Sequence, residues 1–199
     1  MTRWYTADTH LGHTNILKYC NRPWDNVTRM NEAIIDNINE ICNEDDELWI
    51  LGDIALGQLR DSLDYIQFIK PEVHAIIGNH DRCFIRANAT EAKIAKAERS
   101  RQPYLNAGIV SLQTETRHLL GDHEVVLSHF PYSEDHTETD RFTHARPKNE
   151  GKWLLCGHVH NLWKQREKQI NVGVDVRNFY PIHEDEITHI ISKGPQDID

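Results

Sequence analysis

Apolar positions in the first half of the chain alternate between short strand-like runs and stretches of helical spacing. Arg3 to Ala7, Glu47 to Leu51 and Val73 to Ile77 are short runs of apolar or β-branched side chains, which predict three strands. Between them, two stretches repeat apolar residues at helical spacing: Met30, Ile34, Ile35, Ile38 and Ile41, and then Leu59, Leu63, Ile66 and Ile69. This rhythm predicts a βαβ-like arrangement in which helices cover one face of a sheet.

After residue 105 the pattern consists mainly of strand-like runs. They are Ile109 to Thr114, Thr116 to Leu120, Glu124 to Ser128, Trp153 to Cys156, Gln169 to Val172 and Ile187 to Ser192. Because Gly121-Asp122 is a typical turn dipeptide, we predict a hairpin there, and a second sheet packed on the first. Arg82 to Asn106, which is weakly helical, and Pro131 to Lys152 lack clear periodicity and are candidate rim or lid segments.

Length and composition indicate an ordinary globular protein. A chain of 199 residues is long enough for one buried core and short for two, so we expect a single domain over residues 1–199. No stretch has the pattern of a signal peptide or of a membrane span, and the four cysteines form no CxxC pair, so we expect a cytoplasmic protein with reduced thiols and no membrane contact. The formal charge of −9 disfavours binding of long nucleic acids.

Polar clusters follow the predicted strands at five places. They are Asp8-Thr9-His10, Gly52-Asp53, Gly78-Asn79-His80-Asp81, Ser128-His129 and Gly157-His158-Val159-His160. Because strand carboxyl ends gather at one edge of an α/β sheet, we expect these clusters to meet. They supply seven oxygen or imidazole ligands suited to divalent Mn, Fe, Zn or Ni: Asp8, His10, Asp53, Asn79, His129, His158 and His160. Seven ligands are too many for one ion.

This ordered set resembles the calcineurin-like metallophosphoesterase superfamily, whose pattern is DxH, GD, GNH[DE], a later H and GHxH. The match spans Asp8 to His160. The stretches Tyr5 to His13, Asn21 to Trp24 and Asn171 to Asp175 look like a small bacterial and phage branch of predicted phosphoesterases. The resemblance implies an α/β fold, a four-layer αββα sandwich of two mixed β-sheets flanked by helices.

The resemblance also implies a role for each site residue. Three ligands would bind one divalent ion: Asp8, His10 and His160. Three others would bind a second ion: Asn79, His129 and His158. Asp53 would bridge both, and the two ions, with Mn²⁺ expected and Fe, Zn or Ni as alternatives, would activate a shared water for in-line attack on phosphorus. His80 would protonate the leaving oxygen or stabilise the transition state, with Asp81 orienting its ring.

The expected activity is hydrolysis of a small phosphate ester, most of all a phosphodiester or nucleotide; phosphomonoesters and short nucleic-acid ends are alternatives. The Ser/Thr protein phosphatase branch carries an arginine soon after its GD motif, whereas Ile54-Ala55-Leu56 follows here, which disfavours that activity. Some superfamily members have lost ligands and serve as scaffolds, but the complete ligand set and His80 disfavour this reading. The residues that could also reach substrate phosphate are His13, Arg22, Arg146 and Lys148.

Overall fold

The computed structural model describes residues 2–135, 137 and 139–199. Its strands are β1 Arg3–Thr6, β2 Glu47–Leu51, β3 Glu72–Ile76, β4 Ile109–Gln113, β5 Glu115–Leu120, β6 His123–Ser128, β7 Trp153–Cys156, β8 Gln165–Glu167, β9 Gln169–Asn171, β10 Ile182–His183 and β11 Gln196–Ile198. Its α-helices are α1 Ile16–Tyr19, α2 Val27–Ile41, α3 Leu59–Leu63, α4 Glu91–Arg99, α5 Gln102–Asn106 and α6 Glu184–Ser192. Short 3-10 helices lie at Asp64–Phe68, Thr143–Ala145 and Val174–Val176.

The strands form two mixed sheets. In the first, of order β10-β1-β2-β3-β4, strands β1 to β4 run parallel and β10 pairs antiparallel with β1. In the second, of order β11-β8-β9-β7-β6-β5, strands β6, β7 and β9 run parallel, and the other neighbours pair antiparallel. The predicted hairpin is confirmed: β5 and β6 are joined by Gly121-Asp122, and Gly121 has the left-handed φ of 57° that such a turn favours.

A shared core lies between the two sheets. Tyr5 and Leu51 from the first sheet belong to the same buried cluster as Leu127, Leu155 and Ile170 from the second. Helix α2 covers the other face of the first sheet with its predicted apolar stripe, of which Met30, Ile34, Ile35 and Ile38 are at most 5% exposed. Burying each such side chain stabilises the fold by about 1.5–3 kcal/mol.

The expected α/β fold with two mixed sheets and helices is therefore confirmed, while the single-domain assignment over residues 1–199 stays a prediction. Among the described residues, no helix has both the length and the apolar character needed to cross a membrane.

The strand predicted from Ile187 to Ser192 is wrong, because this stretch lies in helix α6. Its buried residues Ile187 and Ile191 are four apart, which is helical spacing, and the β-branched side chains concealed that period. Three acidic residues in the first turn, Glu184 to Glu186, favour a helix start through its dipole.

Two other segments differ in detail from the predictions. The helix expected over Leu59 to Ile69 is split into α3 and the following 3-10 helix. The stretch from Arg82 to Asn106 contains α4 and α5, whereas the described part of Pro131 to Lys152 carries the short 3-10 helix Thr143–Ala145. We call the latter stretch the 131–152 segment.

Candidate metal centre

Backbone hydrogen bonds hold the loops after the strands against one another. The Asp8 amide donates to the Gly52 carbonyl at 3.1 Å, and the His10 amide donates to the Asp53 carbonyl at 2.9 Å. In the second sheet, the Gly157 amide donates to the His129 carbonyl at 3.1 Å. Two contacts then link the two sheets. Ala7 and Gly173 form a parallel β-bridge, and the His158 amide donates to the Asp8 carboxylate at 3.0 Å. The predicted clusters are therefore brought together.

Two overlapping groups of donor atoms form at this meeting point. The donor atoms of Asp8, His10 and His160 lie within 4.8 Å of one another, as do those of Asp8, Asp53 and His129. Asp53 Oδ2 lies 3.6 Å from His10 Nε2 and 3.5 Å from His129 Nε2. Asp53 is thus positioned between one histidine from each predicted ligand set, which is the placement that a bridging carboxylate needs.

The His129 ring shows why this donor set fits a cation. His129 Nδ1 lies 2.9 Å from the Leu51 carbonyl oxygen, and its Nε2 lies 3.1 Å from Asn79 Oδ1 and 3.5 Å from Asp53 Oδ2. A neutral imidazole has only one N–H, so its other nitrogen presents a lone pair to oxygen atoms, which is unfavourable whenever Asp53 is ionised. If Nδ1–H donates to Leu51, a divalent cation among Nε2, Asn79 and Asp53 removes that conflict.

His10 is arranged in a similar way. Its Nδ1 lies 3.2 Å from Nδ1 of His13, so one of these atoms donates and the other accepts. Among the described residues, His10 Nε2 is buried without a hydrogen-bond partner. Metal-binding histidines commonly use their second nitrogen in such a contact, which fixes the ring. His13 therefore positions His10, besides lining the cavity over the site.

His158 is oriented by a residue that the sequence did not single out. Its Nε2 lies 3.3 Å from Oδ2 of Asp135, whose side chain is fully buried, and its ring lies 5.2 Å from that of His129. Asp135 belongs to the 131–152 segment, and no motif or periodicity marked it.

A buried ion pair supports the opposite side of the centre. Arg22 Nε and Nη2 donate to Asp175 at 2.8 and 3.0 Å, and its Nη2 and Nη1 donate to the carbonyls of Asp8 and Thr9. Asp175 Oδ2 also lies 2.9 Å from His160 Nδ1. Arg22, considered above as a phosphate ligand, is instead a buried brace for the loop that carries Asp8. In the sequence, this pair was indicated only because Arg22 and Asp175 lie in two of the stretches that look like the small phosphoesterase branch.

His80 and Asp81 take different places. His80 is exposed and lines the cavity, its ring 5.4 Å from that of His10, and its amide donates to Asp53 Oδ1 at 2.8 Å. Asp81 is buried, and its carboxylate accepts from the amides of Asp53, Ile54 and Gly78. Asp81 therefore ties the GD loop to the GNH loop, while its role as orienter of the His80 ring stays a prediction.

The backbone of the centre is strained at many of the predicted ligands. Left-handed φ values between 48° and 72° occur at Asp8, His10, Asp53, His158 and His160. A non-glycine residue in this region costs roughly 1–2 kcal/mol, and such strain clusters at functional sites. Glycines provide the remaining close approaches: a Cβ on Gly157 would lie 2.5 Å from Asp8 Oδ2, and one on Gly78 would collide with the Asp53 amide and carboxylate.

Comparison with known proteins agrees with this geometry. The model of the calcineurin-like phosphoesterase superfamily domain matches residues 1–178. The chain belongs to the calcineurin-like phosphoesterase superfamily. It is 33% identical over 183 residues to the gene 66 protein of Mycobacterium phage D29, with 86% of this chain and 87% of the relative covered. It is 29% identical over 197 residues to an uncharacterized protein of Methanocaldococcus jannaschii, with 94% and 90% covered.

Among solved structures, a protein of unknown function from Aquifex aeolicus matches with a TM-score of 0.70 and 20% identity, covering 96% of this chain and 99% of that one. This likeness concerns the fold. The family implies divalent metal ions, and the Asp and His groups described above suit them.

Burial shapes the electrostatics of this phosphoesterase-family site. Desolvation raises the pKa of Asp8, and it raises the pKa of Asp53 to about 7. The same burial lowers the pKa of His10 and of His129. Without a cation, Asp8 and Asp53 therefore favour the protonated form, and His10 and His129 favour the neutral form. His160 differs, because the charge of Asp8 and the hydrogen bond to Asp175 outweigh its burial and hold its pKa well above the usual range. An incoming metal ion must displace these protons from the carboxyls and from His160.

Two carboxylates near the edge of the site behave differently. Burial raises the pKa of Asp175, but hydrogen bonding to His160 and the charge of Arg22 outweigh it and leave the pKa below its ordinary value. For Asp135 burial is likewise outweighed, here by the hydrogen bond from Arg141 and the charge of His158, and its pKa is held well below the usual range. Both groups are therefore carboxylates at neutral pH.

The remaining candidates for phosphate contact lie outside this arrangement. Arg146 donates to the carbonyls of Glu134 and Arg141 and pairs with Asp140, so it braces the 131–152 segment. The Lys148 side chain is 86% exposed and lies 3.9 Å from Glu150.

A further potential metal ligand, Cys20, lies at the edge of the centre. Its sulfur lies within 4.8 Å of the donor atoms of His160 and Asp175, and the residue lines the cavity.

Proposed function

We propose that this protein is a binuclear metal-dependent phosphoesterase that hydrolyses a small phosphate ester, in the first place a phosphodiester or nucleotide. The observation that carries the proposal is the placement of Asp53 Oδ2 between His10 Nε2 and His129 Nε2, at 3.6 and 3.5 Å. Asp8 lies beside it and is shared by two groups of donor atoms, one with His10 and His160 and the other with Asp53 and His129. One divalent ion would be held by Asp8, His10, His160 and Asp53. The other would be held by Asp53, Asn79, His129 and His158.

When bound, two such ions act as Lewis acids on the phosphoryl oxygens and activate water as the nucleophile. The protein's own contribution is to fix the ligands and to supply a proton. His80 lines the cavity beside His10, and its amide is held by Asp53, so its exposed imidazole can donate a proton to the leaving oxygen of the substrate.

The cavity at the centre has a volume of about 330 Å³, which suits a small substrate. Two divalent ions add four positive charges locally to a chain of formal charge −9, so attraction is confined to the site. A long nucleic acid would have to lay its other phosphates along an acidic surface. We therefore expect a small phosphodiester to be the better substrate and the salt dependence of activity to be shallow.

A panel assay tests this proposal. Metal-free protein is supplied with Mn²⁺, Ni²⁺, Zn²⁺ or Mg²⁺ and assayed against nitrophenyl mono- and diesters, cyclic nucleotides, dinucleotides and long duplex DNA. We expect turnover with at least one transition metal and a higher kcat/KM for a small diester than for each site of the DNA. If the protein were inactive under all these conditions, the proposed enzymatic activity would be refuted and the non-catalytic scaffold hypothesis would be favoured. A preference for DNA with steep salt inhibition would refute the proposed substrate class.

The role of His80 is tested separately by His80→Ala. The variant should keep its bound metal, while turnover falls by roughly 10²- to 10⁴-fold if a general acid is lost. Nitrophenolate leaves without needing a proton, so its release should suffer less than release of an alkoxide. Equal losses for both leaving groups would contradict proton donation by His80.

A further inference from the structure

The cavity over the predicted metal centre contains one permanently charged side chain. Its described lining includes the imidazoles of His10, His80 and His160 on the metal side and the side chains of Tyr19 and Leu162 on the outer side. Arg141, from the 131–152 segment, completes this lining and is the cationic member among the described residues. A guanidinium stays protonated at all working pH values, so it is suited to an anionic group.

Arg141 is held by the buried carboxylate of Asp135. Its Nη2 lies 2.9 Å from Asp135 Oδ1, its Nε lies 3.3 Å from Oδ2, and its amide donates to Oδ2 at 3.3 Å. The Asp135 side chain is fully buried, whereas that of Arg141 is 39% exposed. The same Oδ2 lies 3.3 Å from His158 Nε2, so one carboxylate connects the arginine to a predicted metal ligand.

The neighbouring residue fixes the backbone at this point. Phe142 has a left-handed φ of 57°, and its ring packs 5.5 Å from that of Phe130, 5.8 Å from that of Phe84 and 5.6 Å from that of His158. The Arg141 guanidinium lies 5.4 Å from the Phe142 ring centroid, within cation–π distance. The position of Arg141 is thus determined by an aromatic cluster on one side and by Asp135 on the other.

We propose that Arg141 binds the non-bridging phosphate oxygens of the substrate and that Asp135 is the positioning residue that holds it at the metal centre. This inference rests on the proposed function, since it assigns a phosphate ligand to the same cavity. No arginine follows the GD motif directly, where Ile54, Ala55 and Leu56 stand, whereas Arg141 of the 131–152 segment lines the cavity. A guanidinium can use several N–H donors at once, and bidentate contacts to Asp135 and to phosphate both suit its planar fork.

The test compares Arg141→Ala, Arg141→Gln and Arg141→Lys with the control Arg29→Ala. Arg29 lies on α2, is 67% exposed and pairs with Asp25, so the control removes an arginine from a surface ion pair. The readouts are metal content, kcat and KM for a nitrophenyl phosphodiester, and the Kd of inorganic phosphate for the metal-loaded protein by calorimetry. Phosphate binding does not depend on turnover, so it reports on Arg141 even if the proposed activity fails.

We expect Arg141→Ala and Arg141→Gln to keep their metal while the phosphate Kd and the KM rise roughly 10- to 100-fold, as for loss of a hydrogen bond to a charged group. Arg141→Lys should fall between these variants and wild type, because it keeps the charge and loses the fork. The control should bind phosphate like wild type. Unchanged phosphate Kd and KM in both neutral variants would overturn the proposal, as would loss of metal in both, which would make Arg141 a structural residue.

Asp135→Asn tests the positioning role. Because Asp135 also contacts His158, the variants are compared with metal in saturating excess, and metal content is measured for each. Under these conditions Asp135→Asn should raise the phosphate Kd less than Arg141→Ala does. The double variant should bind phosphate no more weakly than Arg141→Ala alone, because both changes disrupt the same contact between Arg141 and phosphate. Fully additive losses would show that Asp135 acts on phosphate binding independently of Arg141 and would refute its assigned role.

Discussion

Replacing Asp175 by asparagine tests whether the buried pair with Arg22 supports the metal centre. The side chains of Arg22 and Asp175 are 0% and 2% exposed, and Asp175 accepts from Arg22 Nε at 2.8 Å. Asparagine has nearly the same shape, so the change opens no cavity. Its amide nitrogen, however, would face Arg22 Nε if it took the place of Oδ1, or both Arg22 Nη2 and His160 Nδ1 if it took the place of Oδ2.

The expected loss of stability follows from burial. Removing one partner of a buried ion pair costs about 3–5 kcal/mol, because the other charge stays buried without compensation. An exposed pair contributes only about 0–1 kcal/mol. The chain offers such a pair for a matched control, since Arg29 and Asp25 are 67% and 64% exposed and meet at 3.0 Å. Asp25→Asn should therefore leave the free energy of unfolding nearly unchanged.

Metal binding should respond as well. Asp175 contacts His160 Nδ1 at 2.9 Å, and loss of such a partner to a metal-binding histidine typically weakens metal affinity by about 10- to 100-fold. Weaker binding to the folded state lowers its stability by a further ~1.4–2.7 kcal/mol when the ion is in excess. The difference between Asp175→Asn and wild type should thus be larger with metal than without it.

Urea denaturation with chelator and with excess Mn²⁺ measures both effects, and calorimetry measures the metal affinity directly. The reasoning is refuted if Asp175→Asn and Asp25→Asn lose equal stability. It is also refuted if Asp175→Asn binds metal with the wild-type affinity.

Three further predictions concern the metal centre. Asp53→Asn should reduce the number of bound ions more than a change at a terminal ligand such as His158→Ala does, and a variant that holds two ions with near-native turnover would contradict the bridging role. Gly78→Ala should destabilise the protein by about 1–3 kcal/mol and reduce metal content, because the added methyl group would collide with the Asp53 backbone; wild-type metal content and stability would argue against this contact. The affinity for Mn²⁺ should fall as the pH drops below about 7, because the raised pKa of Asp53 leaves its carboxyl protonated there. Calorimetry in buffers between pH 6 and 8 measures this affinity, and a pH-independent Kd would contradict proton displacement.

The sequence predicted those parts of the fold that are set by local pattern. Strands β1, β2 and β3 were found because each is a short run of apolar or β-branched side chains, with consecutive residues buried. Helix α2 was found because its buried side chains recur at helical spacing. Helix α6 was missed because its isoleucines suit either element. The strands β8, β10 and β11 have two or three residues each, which is too short for any period to be recognised.

The site divides in the same way. The seven predicted ligands follow strands directly, so their motifs are local and could be read from the chain. The residues that support these ligands could not be predicted from the sequence. Arg22 and Asp175 are 153 positions apart, and the contact between Asp135 and His158 depends on how the 131–152 segment folds back. No period or motif encodes such a pairing, and it becomes visible only when the loops are brought together.

These supports bear on how the centre exchanges its ions. Asp81 holds the amides of Asp53 and Gly78, and Arg22 holds the carbonyls of Asp8 and Thr9, by hydrogen bonds that do not involve a metal. These protein contacts therefore stabilise the left-handed backbone conformation at the predicted ligand residues and the close approach of buried carboxylates. Because none of these contacts uses a metal ion, we expect the loops to keep their positions in the metal-free protein. Ion binding then requires displacement of protons and water at a formed site, and no refolding of the loops that carry the ligands.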